Sequence, residues 1–266
     1  MALKNELNKL LYQIKSIFYT DSFQNPGNES KITANIICKN NLKTITICLK
    51  SLVNVVDEIV IIDTGSNDGT IEFITKLLDK NFASPHKSYT LIKENKFQSY
   101  SYHRNQAILR SQGDWILVID SDEYLSSALQ KILKQLVSSK IYSGYRFYRR
   151  WITSINAESA EYIFTKRFKG RYKSIIRLFR NLPGIQYRGE LHEAVFGLEG
   201  KRVKTINENV ATLYHLDTAV NSYEIRLKKV QSREALLVGS GHPEEYLPEL
   251  YSIPVKKVPR EDFMIS

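Results

Sequence analysis

Apolar and polar positions alternate in blocks along this chain, and the blocks change period in a regular order. Ile32 to Cys38 reads as a strand. Ile45, Leu49, Leu52 and Val53 then recur at helical spacing and predict an amphipathic helix over Leu42–Asn54. A second apolar strand, Glu58 to Ile62, stops at the polar run Asp63-Thr64-Gly65-Ser66-Asn67-Asp68-Gly69-Thr70. A helix follows through Ile71, Ile74, Leu77 and Leu78, then a third strand at Tyr89–Lys93 and a third helix at Ser99–Arg110. Gly113-Asp114 turns into a fourth strand, Trp115 to Ile119. Strands and helices in strict alternation predict an α/β fold: a Rossmann-like, mostly parallel sheet with right-handed crossovers, flanked by helices.

After a helix at Leu125–Ser138 the rhythm changes. A strand over Gly144–Trp151 precedes a long basic and aromatic loop, Ile152 to Ser174, and another strand, Ile175 to Arg180. Tyr187 to Phe196 gathers Arg188, Glu190, His192 and Glu193. A last strand, Val210 to Leu216, carries His215 at its end, and a helix spans Tyr223–Leu237. The tail holds Pro243, Pro248, Pro254 and Pro259 and reads as irregular chain folded over the surface. At the other end Leu7, Leu10, Leu11, Ile14, Ile17 and Phe18 place an amphipathic helix within residues 2–20, either packed on the main domain or facing an acceptor protein or membrane surface. Pro26, Gly27, Asn28 and Ser30 make a linker. The expected division is a helix and linker over 1–30, one domain over 31–220, and a helix with an irregular tail over 221–266.

Size is consistent with one large domain, and no apolar run is long enough to span a bilayer. The first residues, Met1 to Lys9, are too polar for a signal peptide. The two cysteines, Cys38 and Cys48, fall in a strand and a helix and read as small buried residues in a reducing cytosol. No Cys/His group has zinc spacing. The net charge of +10 favours a polyanionic partner: nucleic acid, anionic headgroups or a phosphorylated small ligand. Part of the excess is local, in Arg146, Arg149, Arg150, Lys166, Arg167, Lys169, Arg171, Lys173, Arg177 and Arg180.

The chemistry concentrates where strands end. Asp120-Ser121-Asp122-Glu123 closes the fourth strand, and carboxylates at the end of a buried strand need a partner or a cation. On extended chain Asp120 and Asp122 share a face, and two carboxylates there can hold one hard dication that also binds a diphosphate. The plainer alternative is an acidic N-cap, Asp122 or Glu123, on the helix near Leu125. Lys39-Asn40, Asp63 and His215 also lie at carboxyl ends of strands, which sit side by side in such a sheet and are where ligands bind. The run Asp63 to Thr70 suits a nucleoside and a helix N-terminus near phosphate, or else is a plain turn with a cap.

Taken in order, these segments resemble the inverting family-2 glycosyltransferases of the GT-A fold. The residues that carry the resemblance are Ile36-Ile37-Cys38-Lys39-Asn40-Asn41, Asp57 through Thr70, Tyr102-His103-Arg104-Asn105-Gln106-Ala107 and Gly113 through Glu123. Further on come Gly144-Tyr145-Arg146-Phe147, Arg177-Leu178-Phe179-Arg180 and Leu191-His192-Glu193. The later motifs look like the branch containing lipopolysaccharide-core β-glucosyltransferases and bacteriocin S-glycosyltransferases. Lys39-Asn40-Asn41 departs from the Asn-Glu common at that place.

The resemblance implies a nucleotide-sugar site made by Lys39, Asn40, Asp63, Gly65, Ser66, Asp68, Arg104, Asn105, Asp120 and Ser121, with Asp63 on the base or ribose. It implies Mg²⁺ or Mn²⁺ on Asp120 and Asp122, a DxD pair, with His215 completing the shell. The base is expected to be Glu193, since the family's base is an acid at about this point in the fold, with Glu190 in reserve and His192 beside it. The implied donor is a UDP-hexose and the acceptor a glycan, a lipid-linked molecule or a peptide. Nucleic acid is not expected, and the implied place is the cytoplasm, peripheral at the inner face of the membrane. Two rival readings are a nucleotidyltransferase, which would usually carry a Gly-rich basic loop where Lys39-Asn40-Asn41-Leu42-Lys43 stands, and a non-catalytic basic protein binding nucleic acid or membrane on an inactive fold.

Overall fold

The computed structural model describes residues 29–155, 159–164, 174–190, 193–236, 243–251, 253 and 255–262. The amphipathic helix expected over residues 2–20, His192 and the segment Lys166–Lys173 lie outside them.

Four strands form the half of the sheet that the sequence spells out: β1 (Ile32–Cys38), β2 (Glu58–Asp63), β3 (Ser88–Lys93) and β4 (Trp115–Val118). They are parallel and stand in the order β4-β1-β2-β3, with Ile36 beside Ile61 and Asn35 beside Val118. The helices between them are α1 (Leu42–Leu52), α2 (Thr70–Asn81) and α3 (Tyr100–Arg110). Alternation along β4 shows why both faces had to be apolar. Trp115, Leu117 and Ile119 pack toward α1, α2 and α4 (Ser127–Val137), with Leu49, Ile74 and Leu129 in the same cluster. Ile116 and Val118 point the other way, toward Ile108 on α3 and Phe179. The entry to β4 is tight: a Cβ on Gly113 would stand 2.7 Å from the Thr33 hydroxyl, so the turn at Gly113-Asp114 requires glycine.

Beyond β4 the sheet turns antiparallel. β8 (Ser174–Arg180) pairs with β4 and with β6 (Gly144–Ile155), and β6 pairs with β7 (Ala160–Phe164). The loop expected over Ile152–Ser174 is therefore, in its described part, the end of one strand and the whole of another. Two further corrections concern the ends. Glu123–Leu125 is a short strand, β5, so the fourth helix begins two residues later than expected, capped by the Ser126 hydroxyl on the Leu129 N–H. The tail is not simply irregular: Lys256–Lys257, with β7, makes an antiparallel pair, and the buried Asp262 accepts from the Tyr214 hydroxyl at 2.8 Å.

The remaining elements bring groups to the carboxyl edge of β4. β9 (Gln186–Arg188) and β10 (Ala194–Phe196) form a hairpin. After β11 (Val203–Thr205), β12 (Thr212–His215) lies between β6 and β5, setting His215 opposite Glu123 and Trp151. α5 (Asp217–Val220) and α6 (Tyr223–Leu236) follow. No helix among the described residues is long and apolar enough to cross a membrane.

Trp115 is fully buried between β1 and β8 with Arg180 over its ring at 4.7 Å. Trp115→Ala is expected to destabilise the fold by about 3–5 kcal/mol through cavity formation, read as a shift in the urea midpoint with an unchanged slope.

Candidate active site

The fourth strand delivers its acids into a lattice of arginines. Arg104, on the second turn of α3, donates from Nη2 to Asp120 Oδ1 at 2.8 Å and from Nε to Glu193 Oε1 at 2.9 Å. Arg177, on β8, donates to Asp120 Oδ2 at 2.5 Å and Oδ1 at 3.3 Å, and to Glu123 Oε1 at 2.9 Å. Glu123 is fully buried, its other oxygen accepts the Asp120 N–H at 3.1 Å, and Arg149 stands 3.5 Å from it. The two guanidiniums overcome the cost of burial and hold the Asp120 carboxyl far below its usual range. Burial alone would weaken the arginines, but Asp120 keeps both firmly protonated, with Glu193 adding to the effect on Arg104 and Glu123 to that on Arg177.

Two residues on, the balance reverses. Asp122 is pushed up to about 7 by burial and by the charges of Asp217 and Asp120, with Lys229 opposing. His215 Nε2 lies 3.5 Å from Asp122 Oδ1, and its ring packs on Trp151 with centroids 4.0 Å apart. Burial, then Arg149, pull His215 down to about 4, so the imidazole is neutral at ordinary pH and free of a competing proton. His215 Nδ1 and Asp217 Oδ2 are buried without a hydrogen-bond partner among the described residues, and Asp217 Oδ1 is bonded by Lys229 of α6 and by Asn221.

This corner fits a hard dication: Asp122, whose charge burial and neighbouring carboxylates disfavour, faces a neutral imidazole, and a bound cation would offset that cost. Among the described residues no three His, Cys, Asp or Glu side chains converge on one point. The protein side is thus a pair, Asp122 and His215, that a ligand's own oxygens would complete. Asp120, expected to share the cation, accepts from Arg104 and Arg177 on its two oxygens.

The first two strands end in a self-bonded loop. Asp63, 1% exposed, accepts from the Gly65 and Ser66 N–H groups at 3.0 and 2.9 Å and from the Ser66 hydroxyl. Gly65 takes a φ of 100°, which glycine allows. Asn40 donates its N–H to the Ser66 hydroxyl at 2.8 Å and its Oδ1 accepts from Asn67 at 2.9 Å. Asp68 accepts from Leu42 and Thr70, joining the starts of α1 and α2. Ser121 donates to Asn41 Oδ1 at 2.9 Å, which also accepts the Lys39 N–H, linking this loop to the acids. Asn105 lies elsewhere: its amide exchanges two hydrogen bonds with the Tyr187 backbone, at 2.7 and 2.9 Å, and ties α3 to β9. Glu190 is exposed beside Gly189, whose φ of 105° turns the chain back toward Glu193.

The structure thus brings Arg104, Asp120, Asp122, Ser121, His215 and Glu193 to one edge, with Lys39, Asn40, Asp63, Gly65, Ser66 and Asp68 in the adjoining loop. Sequence reasoning gave no role to Arg177, Asp217 or Lys229 and left Glu123 as a helix cap. An arginine inside a strand, and an acid two residues after His215, were the available signals. Arg177→Met is expected to cost about 3–5 kcal/mol, since Glu123 would keep a buried charge with its main partner gone. Thermal unfolding checks this, and recovery in Arg177→Met/Glu123→Gln would assign the loss to that pair.

Acids and a neutral histidine at the carboxyl ends of strands, met there by two arginines, stand where ligands bind in open α/β sheets. Residues 33–188 match the profile of Glycosyl transferase family 2, and the chain belongs to that family. A TPR repeat-containing protein of Synechococcus elongatus is 29% identical over 62% of this chain and 36% of its own length. The lipopolysaccharide core biosynthesis glycosyltransferase LpsC of Rhizobium meliloti is 30% identical over 45% of this chain and 42% of its own. The prophage-derived glycosyltransferase SunS of Bacillus subtilis is 28% identical over 61% and 34%. The chain spans less than half the length of these relatives. Among solved structures, a mannosyltransferase of Pyrobaculum calidifontis in complex with GDP-Man and Mn²⁺ superposes with a TM-score of 0.52 at 13% identity, over 94% of this chain and 75% of that one. Such likeness shows the GT-A fold.

Proposed function

We propose that the chain is a metal-dependent inverting glycosyltransferase that moves a hexose from a nucleotide sugar, a UDP-hexose, to a glycan, lipid-linked or peptide acceptor. The observation that carries this is the single guanidinium of Arg104, which joins Asp120 to Glu193 and so sets the donor end and the base end in one cleft. In this reading the loop of Lys39, Asn40, Asp63, Gly65, Ser66 and Asp68 receives the nucleoside. Asp122 and His215 hold Mg²⁺ or Mn²⁺, with Asp120 beside them kept ionised by its arginines. The bound cation supplies electrostatic stabilisation to the diphosphate as it leaves.

Glu193 accepts the acceptor's proton as its oxygen, or sulfur, bonds to the anomeric carbon and the carbon–oxygen bond to the diphosphate breaks. Arg104 holds that carboxylate in place, and its positive charge lies where the diphosphate's charge grows. Asn105, by fixing β9 to α3, sets the height of the hairpin that carries Glu193. Residues 221–266 are an appendage whose Lys229 reaches Asp217, and the chain acts in the cytoplasm at the inner face of a membrane.

The test is incubation with UDP-glucose, UDP-N-acetylglucosamine and GDP-mannose in the presence of Mn²⁺. Release of nucleoside diphosphate that stops with EDTA and returns with excess Mn²⁺ is expected. Release undiminished by EDTA would overturn the metal's part, and no release from any donor would overturn the transfer reading.

A further inference from the structure

Two large aromatic side chains stand exposed at the start of α3, Phe97 in the loop just before the helix and Tyr100 as its first residue. Phe97 is 40% and Tyr100 44% exposed, and their rings meet edge to face with centroids 5.0 Å apart. Phe97 also packs on His103 at 5.2 Å, and His103 is fully buried with its Nε2 accepting the Gln98 N–H at 3.1 Å. The Ser99 hydroxyl accepts the Tyr102 N–H at 3.1 Å and caps the helix. The two rings are therefore held on a fixed backbone.

Their place relative to the site follows from helix geometry. Tyr100 stands four residues before Arg104, on the same face and about 6 Å along the axis. Arg104 is 7% exposed and grips Asp120 and Glu193. This face of α3 thus runs from the buried Arg104, beside the acids, out to the exposed Tyr100. Burial holds the Tyr100 hydroxyl's pKa above its usual range, Arg233 opposes this, and the charges of Asp120, Glu193 and Asp122 add to it.

We infer that Phe97 and Tyr100 are the wall of an acceptor subsite that takes a pyranose ring, an inference that rests on the transfer reading above. With Glu193, held by Arg104, as the base, the acceptor's reacting hydroxyl must reach that carboxylate, and the rest of the acceptor must leave past the next side chain out along α3, which is Tyr100. A pyranose presents a C–H face and a rim of hydroxyls. An exposed aromatic ring covers the first, and charged groups below take the second. Exposed apolar area beside a polar cleft is the usual sign of a binding surface.

The experiment uses the full chain with UDP and Mn²⁺ and four probes, the methyl glycosides of glucose, galactose, mannose and N-acetylglucosamine. Saturation-transfer NMR reads the glycosides, and calorimetry reads UDP. At least one glycoside is expected to receive saturation through its ring C–H protons. Its affinity should fall about tenfold in Phe97→Ala/Tyr100→Ala and persist in Tyr100→Phe, while UDP affinity stays unchanged. Both side chains are exposed, so the double variant folds. The proposal is overturned if no glycoside binds, if the double variant binds it equally well, or if UDP affinity falls while glycoside binding does not, which would make the shelf a platform for the base. A wild-type chain that binds neither UDP nor Mn²⁺ would instead bring down the transfer reading, visibly, before any glycoside is added.

Discussion

Glu193→Gln is expected to lower turnover by about 10²–10⁴, the usual worth of a general base. The substitution is close to isosteric. The Gln carbonyl oxygen can still accept the Arg104 Nε–H that Glu193 accepts at 2.9 Å, so the hairpin and Arg104 stay where they are. What disappears is the negative charge and the capacity to take a proton. Because that capacity is used as the acceptor attacks, donor affinity should barely move and the loss should fall on kcat. A thiol acceptor would show a smaller loss, since its pKa of about 8.5 lets it ionise with less help. Glu190→Gln is the control: Glu190 is exposed on the turn before the hairpin's second strand and should be neutral. Steady-state kinetics with saturating donor decides. Full activity in Glu193→Gln with a loss in Glu190→Gln would move the base to the other carboxylate.

The parts of this fold legible in the sequence are those whose signal is local. β4 is covered on both faces and reads as an unbroken apolar run, β1 and β2 are mostly apolar, and α1 and α2 announce themselves by one buried stripe each. Asp63 and Asp120 could be placed because strand ends in a parallel sheet collect on one edge. What escaped depends on pairings between distant segments. Arg177 meets Glu123 across 54 residues, and nothing near either one signals the partner. Glu123 therefore looked like a cap, although it lies in a strand opposite His215. The strand expected over Gly144–Trp151 runs on as β6 to Ile155, and β7 follows where a loop was expected, because Thr153, Ser154 and Glu161 give no strand signal until the two strands are laid side by side. Asn105 shows the converse limit: its motif placed it on the right helix, but its side chain faces the Tyr187 backbone.

Asp122→Asn is expected to lower activity by orders of magnitude without lowering stability, and the two halves of that result have one cause. Burial and the charges of Asp217 and Asp120 push the carboxyl of Asp122 up to about 7 in the folded chain, from the 3.8 usual for an aspartate. A group whose folded pKa is raised contributes fully below its unfolded pKa, and the contribution is lost as pH rises through the folded one. Between about pH 4 and 7 the fold is therefore progressively penalised for holding this carboxylate beside Asp120 and Asp217, and above 7 the penalty is complete. An amide carries no such charge, so Asp122→Asn should unfold at the same temperature as the wild type or higher at pH 8, with the difference vanishing toward pH 4. In the proposed reading a bound dication would offset this penalty, since an ionised oxygen 3.5 Å from a neutral histidine would ligate it and an amide is a far poorer ligand. Titration of Mn²⁺ by electron paramagnetic resonance should show the lost affinity directly, and added Mn²⁺ should raise the wild type's melting temperature but not the variant's. A variant that is both inactive and less stable at pH 8 would mean that Asp122 serves the fold, while one that keeps Mn²⁺ affinity and turnover would remove it from the cation's shell.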